Sequence, residues 1–208
     1  MKLLLVVAVL FLATYSSQAQ QDEAFVDNAI SEFIESQPTQ VRSSMYSVKR
    51  FCNGSVKMFM MADGSRCATT GDYIEAYLIY KNEAAVFIKK FDNCGAYDAI
   101  QLEDAKVYKM FVTDAGSLVK EVVKPYKTAQ ENTQPLSRTK VYRCHRSFTY
   151  YIGEESTIVS YPLYDLSNES LQPNVNYEFN NNLGTVKLDK ILDSIIVPLE
   201  ENKSFKRS

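Results

Sequence analysis

The sequence predicts a mostly β protein, an antiparallel barrel or sandwich with an N-terminal and a C-terminal helix. From Met45 onward, apolar and polar residues alternate in short segments rich in β-branched and aromatic residues, which is the pattern of half-buried strands. Asn53-Gly54 and Asp63-Gly64 are favoured hairpin turns. Near both ends the apolar residues recur at helical spacing instead.

Residues 1–19 have the pattern of a cleavable secretory signal peptide. Lys2 supplies a positive start, Leu3 to Ala13 is apolar, and Ser17 to Ala19 offers small residues for cleavage. The apolar run is shorter than the roughly 20 residues that cross a bilayer. We therefore expect a secreted, extracellular protein without a membrane span, whose residues 20–208 form a single β-rich domain.

The elements of this domain follow in order along the chain. A helix is expected where Val26, Ile30 and Phe33 share one face, ending at Pro38. The two hairpin turns then arrange residues 45–52, 55–62 and 65 onward as a three-strand meander. Further strand candidates share the alternating pattern: residues 73–80, 84–91, 97–102, 106–113, 117–123, 139–150, 157–163 and 175–179.

Two polar connections and a final helix complete the pattern. Residues 124–137 contain two prolines and a polar run, so they form a connection rather than a strand, and residues 167–174 form another. The final helix is expected through Leu188 and Ile195, with Pro198 as its end. The basic residues Lys203, Lys206 and Arg207 are interpreted as part of a solvated terminus.

Four cysteines, Cys52, Cys67, Cys94 and Cys144, predict two disulfide bonds in an oxidising compartment. If both hairpins form, Cys52 and Cys67 lie about 17 Å apart along the strands, beyond the roughly 7 Å between Cα atoms that a disulfide tolerates. This disfavours a bond between those two. Pairing each of them with Cys94 or Cys144 leaves two connectivities open.

Composition and motifs exclude several function classes. The net charge is −2 and no basic stripe occurs, so nucleic acid is not an expected partner. No metal-ligand spacing, nucleophile elbow or phosphate-binding glycine motif is present, and the one histidine, His145, is interpreted as a solvent-facing strand residue. We therefore expect no catalytic residue, metal or cofactor. Three sequons predict N-glycosylation of a secreted chain, at Asn53, Asn168 and Asn202.

The aromatic content is the remaining clue to function. The chain has 14 tyrosines, 11 phenylalanines and no tryptophan. Inward-facing rings would suit a pocket for a small hydrophobic or aromatic ligand, and the candidate lining residues lie in predicted strands: Tyr77, Tyr108, Phe111, Tyr142, Phe148 and Tyr150. Met58, Met60, Met61 and Met110 are interpreted as adaptable core filling.

The order of signal, strands and terminal helix resembles the lipocalin layout, which implies a barrel around a ligand. The chain has no tryptophan for the G-x-W signature of that family, so the resemblance is one of layout. The first hypothesis is a secreted non-enzymatic carrier of a small hydrophobic ligand. The alternative is a secreted effector, inhibitor or adhesion-type sandwich that binds an extracellular protein through its loops. A large cavity would favour the carrier, and a filled core with an exposed patch would favour the protein binder.

Overall fold

The computed structural model describes residues 22–61, 63–69, 71–129, 144–169 and 171–208. The strands are β1 (Ser44–Cys52), β2 (Met58–Met60), β3 (Arg66–Ala68), β4 (Ile74–Asn82), β5 (Ala85–Asp92), β6 (Gly95–Ala96), β7 (Ile100–Gln101), β8 (Cys144–Ile152) and β9 (Glu155–Pro162). The helices are α1 (Glu23–Ser36), α2 (Thr39–Arg42), α3 (Lys106–Leu118), α4 (Tyr177–Asn182) and α5 (Gly184–Glu201), and a 3₁₀ turn spans Leu163–Leu166.

The strands build one antiparallel sheet and a separate two-stranded ribbon. The sheet runs in the order β6-β5-β4-β1-β8-β9, with β7 also paired to β5, while β2 has β3 as its one partner among the described strands. The predicted antiparallel β fold with a helix at each end is confirmed. In the part of the chain that the structure describes, the sheet is not closed into a barrel, so the layout is sandwich-like, and these residues do not form the ligand-enclosing barrel implied by the lipocalin resemblance.

Helices cover the sheet on both faces. Helix α1 packs its buried Val26 and Ile30 against one face, beside Met45 and Leu78. Helices α3 and α5 cover the opposite face, beside Tyr46 and Tyr150 among other core residues. Strand β1 therefore lies between two apolar layers, and its residues 45–48 are all buried although they point alternately to the two faces.

Several strand predictions are wrong because the segments are helical. Residues 106–113 and the start of 117–123 belong to α3, and 175–179 runs into α4. In α3 the buried residues Val107, Phe111 and Leu118 recur at helical spacing and face the sheet. Residues 119–123 follow the helix without forming a strand. Helix α5 continues past Pro198 to Glu201, so this proline lies in the last turn rather than ending the helix.

The two disulfide bonds join Cys52 to Cys144 and Cys67 to Cys94. The prediction that Cys52 does not bond Cys67 is confirmed, although the meander behind it is only half right. Asp63-Gly64 does turn between β2 and β3, but β1 pairs with β4 and β8 instead of β2. The backbone turns at Asn53-Gly54 and leaves the main sheet there.

The segment 204–208 is docked, so the interpretation as a solvated terminus does not hold. The N–H of Asp98 donates to the carbonyl of Lys206, and the N–H of Ser208 donates to the carbonyl of Ala96. Phe205 is buried against Tyr77 at a ring separation of 5.8 Å. The segment thus lies along the end of the sheet.

Candidate functional site

The ribbon, meaning β2, β3 and the turn between them, leaves the main sheet between β1 and β4. Its base is held by backbone contacts: the N–H of Tyr73 donates to the carbonyl of Ser55 at 2.5 Å, and the N–H of Gly54 donates to the Asp72 carboxylate at 2.5 Å. Gly54 has φ +75°, a conformation that glycine adopts without a steric penalty. The ribbon is therefore a pinned excursion rather than a continuation of β1.

One face of the ribbon packs onto the body of the protein. Phe59 contacts Tyr73 at a ring separation of 5.5 Å, and the Lys57 ammonium lies 4.0 Å from the centre of the Tyr73 ring. Cys67, also on this face, is bonded to Cys94 just beyond the end of β5. Because the link is covalent and both cysteines are buried, the ribbon is fixed to the sheet.

The opposite face of the ribbon is apolar and open to solvent. Val56, Met58 and Met60 point to this side at two-residue spacing and are 66%, 65% and 68% exposed. Across the ladder they are flanked by Ala68 opposite Met58 and Arg66 opposite Met60. The interpretation of Met58 and Met60 as core filling is wrong, because only the alternate residues of β2 face the body.

A buried carboxylate lies behind the ribbon. Asp92 has no solvent exposure and accepts hydrogen bonds from the hydroxyls of Tyr73 at 3.3 Å and Tyr97 at 2.7 Å, and from the N–H of Cys94 at 2.7 Å. Both terminal nitrogens of Arg207 donate to it, at 2.8 and 2.9 Å. Burial alone would lower the pKa of Arg207, but the bonds and charge of Asp92 outweigh this and raise it.

Asp92 thereby connects three parts of the chain that are distant in sequence. Tyr73 stands at the base of the ribbon, Cys94 carries its disulfide, and Arg207 belongs to the docked terminal segment. Burial and the neighbouring carboxylate raise the pKa of both Tyr73 and Tyr97 above that of a free tyrosine. The ribbon therefore rests on a hydrogen-bonded and ion-paired base.

A second candidate site is a groove between residues 100–106 and α5, with a volume of about 530 Å³. Its walls are mostly aliphatic, and they are lined by Ile100, Leu102, Ile191, Ile195, Pro198 and Leu199. The charged residues Glu103, Asp104 and Lys106 also line it. This volume lies within the roughly 300–1,000 Å³ typical of small-molecule sites.

The predicted aromatic lining residues mostly fill the core. Tyr77, Phe111, Phe148 and Tyr150 are buried between the sheet and α3 or α5, and the rings of Phe111 and Tyr150 stack at 5.9 Å. Tyr108 is half-buried and donates to the carbonyl of Ser44. Tyr142 lies outside the described residues. These contacts explain the buried rings as packing between the layers, and a ligand-binding role for the set stays a prediction.

His145 is not an isolated surface residue. Its ring stacks on Phe51 at 5.0 Å, on the neighbouring strand β1.

Asn53, Asn168 and Asn202 are all exposed, as N-glycosylation would require. In the described parts of the chain, no cluster of three or more metal-binding side chains occurs.

The sequence alone does not identify the ribbon as a site, because its alternating apolar pattern is short. Alternation over residues 56–60 predicts a strand, but it does not say which side of the strand will be covered.

Of the helices that the structure describes, none has the length and apolarity to cross a membrane. Comparisons with family models, curated proteins and solved structures found no match.

Proposed function

We propose that this chain is a secreted, non-enzymatic binding protein that holds a protein partner on the open face of the ribbon. The single observation that carries the proposal is the row formed by Val56, Met58 and Met60, each about two-thirds exposed on a ribbon that a disulfide fixes to the body. Neighbouring apolar side chains that stay in water are typical of interaction surfaces. The disulfides agree with an extracellular location.

The chemistry of this row suits a protein surface. Methionine side chains are flexible and polarisable, so they adapt to the shape of an apolar partner. Burying three partly exposed aliphatic side chains contributes about 4 kcal/mol before the costs of association. Since the ribbon is already fixed, little backbone entropy is lost when a partner binds. Arg66 beside Met60 adds a cationic edge to the apolar row.

A display library of random linear peptides, panned against the immobilised secreted protein, tests this proposal. We expect apolar sequences to be enriched on the wild type and lost on the double variant Met58→Ser, Met60→Ser. The matched control is Ile158→Ser, since Ile158 is 66% exposed on β9 of the main sheet. Equal enrichment on the double variant, or no enrichment on any of the proteins, would overturn the proposal.

The groove beside α5 supports a second candidate function, the binding of a small apolar ligand. The specific observation is the aliphatic lining of a groove of about 530 Å³ at the surface, outside the filled aromatic core. Native mass spectrometry of the secreted protein is expected to show an added mass that is lost on Ile195→Asp, whose side chain lines the groove. An added mass retained by that variant would place the ligand elsewhere, and a protein without any added mass would count against the carrier.

A further inference from the structure

Among the described residues, no strand pairs with the backbone groups on the outer edge of β2. In the ribbon, the N–H of Thr69 donates to the carbonyl of Lys57, and the N–H of Met61 donates to the carbonyl of Ser65. In an antiparallel pair the bonded residues alternate, so Phe59 is bonded to its partner Cys67 while Met58 and Met60 are not. The N–H and C=O groups of Met58 and Met60 therefore point away from β3.

Some of the devices that protect strand edges are absent from this edge, although β2 is short. Residues 56–60 contain no proline and no acidic residue, and within the described residues no strand covers the outer side of β2. Lys57 is the one charged residue there, and its ammonium is held over the Tyr73 ring on the inner face. Within the described residues, the outer edge of β2 therefore has no strand partner.

We infer that two copies of this chain pair through β2, antiparallel and centred on Phe59. In this register Met58 of each copy lies opposite Met60 of the other, and each pair exchanges two N–H to C=O hydrogen bonds. Lys57 lies opposite Met61, so no like charges meet across the contact. Pairing through the outer edge of β3, centred on Cys67, is less favourable, because it would bring Arg66 of one copy close to Arg66 of the other.

Pairing at the edge leaves the apolar faces of the two ribbons exposed. Side chains of directly opposed residues in a sheet lie on the same side, so Val56, Met58 and Met60 of both copies join in one strip on a four-stranded ribbon. This consequence rests on the proposed function and deepens it, because the strip doubles the surface offered to a partner. The contact itself is small, and we expect a weak, micromolar to millimolar dimer.

Sedimentation velocity of the full secreted chain, from about 1 μM to about 1 mM, tests the pairing. The informative comparison is Met58→Pro, Met60→Pro against Met58→Ala, Met60→Ala. Both double variants lose the methionine side chains, but only proline removes the outward N–H groups, and edge strands tolerate proline. We expect at least tenfold weaker dimerisation for the proline variant than for the alanine variant.

A photocrosslinking residue, benzoylphenylalanine in place of Met60, checks the register. We expect crosslinked peptides that join position 60 of one copy to residues around Met58 of the other. Non-reduced peptide mapping of every variant verifies the Cys67 to Cys94 bond, so a misfolded ribbon is recognised.

The outcomes separate this inference from the proposed function. A chain that stays monomeric, or a dimer equally weakened by alanine and proline, overturns the pairing through β2. Peptide enrichment on such a monomer would still support the binding face. A dimer without any peptide enrichment would overturn the proposed function and leave the pairing intact.

Discussion

The ion pair between Arg207 and Asp92 offers the sharpest test of how the structure is held together. The Asp92 carboxylate is fully buried, whereas the Arg207 side chain is 19% exposed and donates two bonds to it. The replacement Arg207→Ala removes the cation and leaves the carboxylate in place. An unpaired buried charge is costly, because the lost hydration is no longer offset.

The magnitude follows from what remains around Asp92. Removing one partner of a buried pair costs roughly 3–5 kcal/mol. Here Tyr73, Tyr97 and the N–H of Cys94 continue to donate to the carboxylate, so we expect the low end, about 3 kcal/mol. The replacement Arg207→Lys keeps the charge but loses the two-pronged geometry, and we expect about 1–2 kcal/mol.

Urea unfolding followed by circular dichroism measures these free energies of unfolding. A double-mutant cycle with Asp92→Asn isolates the pair, because Arg207→Ala should cost little once the carboxylate has lost its charge. We expect a coupling energy of about 2 kcal/mol. A coupling below about 0.5 kcal/mol would refute the reasoning, since the bonds would then contribute no more than an exposed ion pair.

Three other measurements follow from the same structure. Burial raises the pKa of tyrosines such as Tyr46 and Tyr161, so these side chains ionise in the unfolded chain at a lower pH than in the folded one. The free energy of unfolding should therefore fall as the pH rises above about 10, by up to 1.36 kcal/mol per pH unit for each such tyrosine. Melting curves between pH 8 and 11 check this, and a melting temperature that does not change with pH contradicts it. Replacing Cys67 and Cys94 by serine removes a disulfide that spans 27 residues, and should lower the free energy of unfolding measured with urea by about 3.5 kcal/mol or less. A variant more stable than the wild type would contradict this prediction. Glu121 accepts hydrogen bonds from the N–H groups of Gly184 and Thr185, at 2.7 Å each, and so caps the N-terminus of α5. Glu121→Ala should lower the free energy of unfolding by about 1 kcal/mol, and Glu121→Gln by less. Equal losses in the two variants would argue against this cap.

Most of the main sheet could be predicted from local patterns. Residues 73–80, 84–91 and 157–163 are close to β4, β5 and β9, because each has the composition of a strand with at least one buried face. The first helix is confirmed in α1, where Val26 and Ile30 face the sheet. For each of these elements, the local sequence preference and the burial in the folded protein favour the same secondary structure.

The errors arise where local pattern and tertiary packing compete. Residues 106–113 are apolar at both two-residue and helical spacing, and the sheet face beside Tyr46 and Tyr150 selects the helix. The turn at Asn53-Gly54 forms, yet pairing of β1 with β4 and β8 excludes β2 from the sheet. Such choices depend on residues distant in sequence, which a local pattern does not contain.

The candidate site was only partly accessible to prediction for the same reason. Two disulfides could be expected from the cysteine count, but their connectivity depends on the strand order. Met58 and Met60 look like core residues in the sequence, and only the pairing of β2 with β3 shows which face stays open. Tyr77, Phe148 and Tyr150 face the core, where helices α3 and α5 fill the space beside them, and a local pattern does not contain this packing.

Because one buried carboxylate holds the ribbon base and segment 204–208 together, these two regions should open as a cooperative unit. Amide protons of Cys94, Asp98 and Ser208 would then exchange with solvent at a common opening free energy, below that of the sheet centre. Proteolytic removal of Arg207 would also take away the guanidinium that lies 5.3 Å from the centre of the Phe59 ring, and would so weaken the support beneath the methionine surface without altering any residue on it.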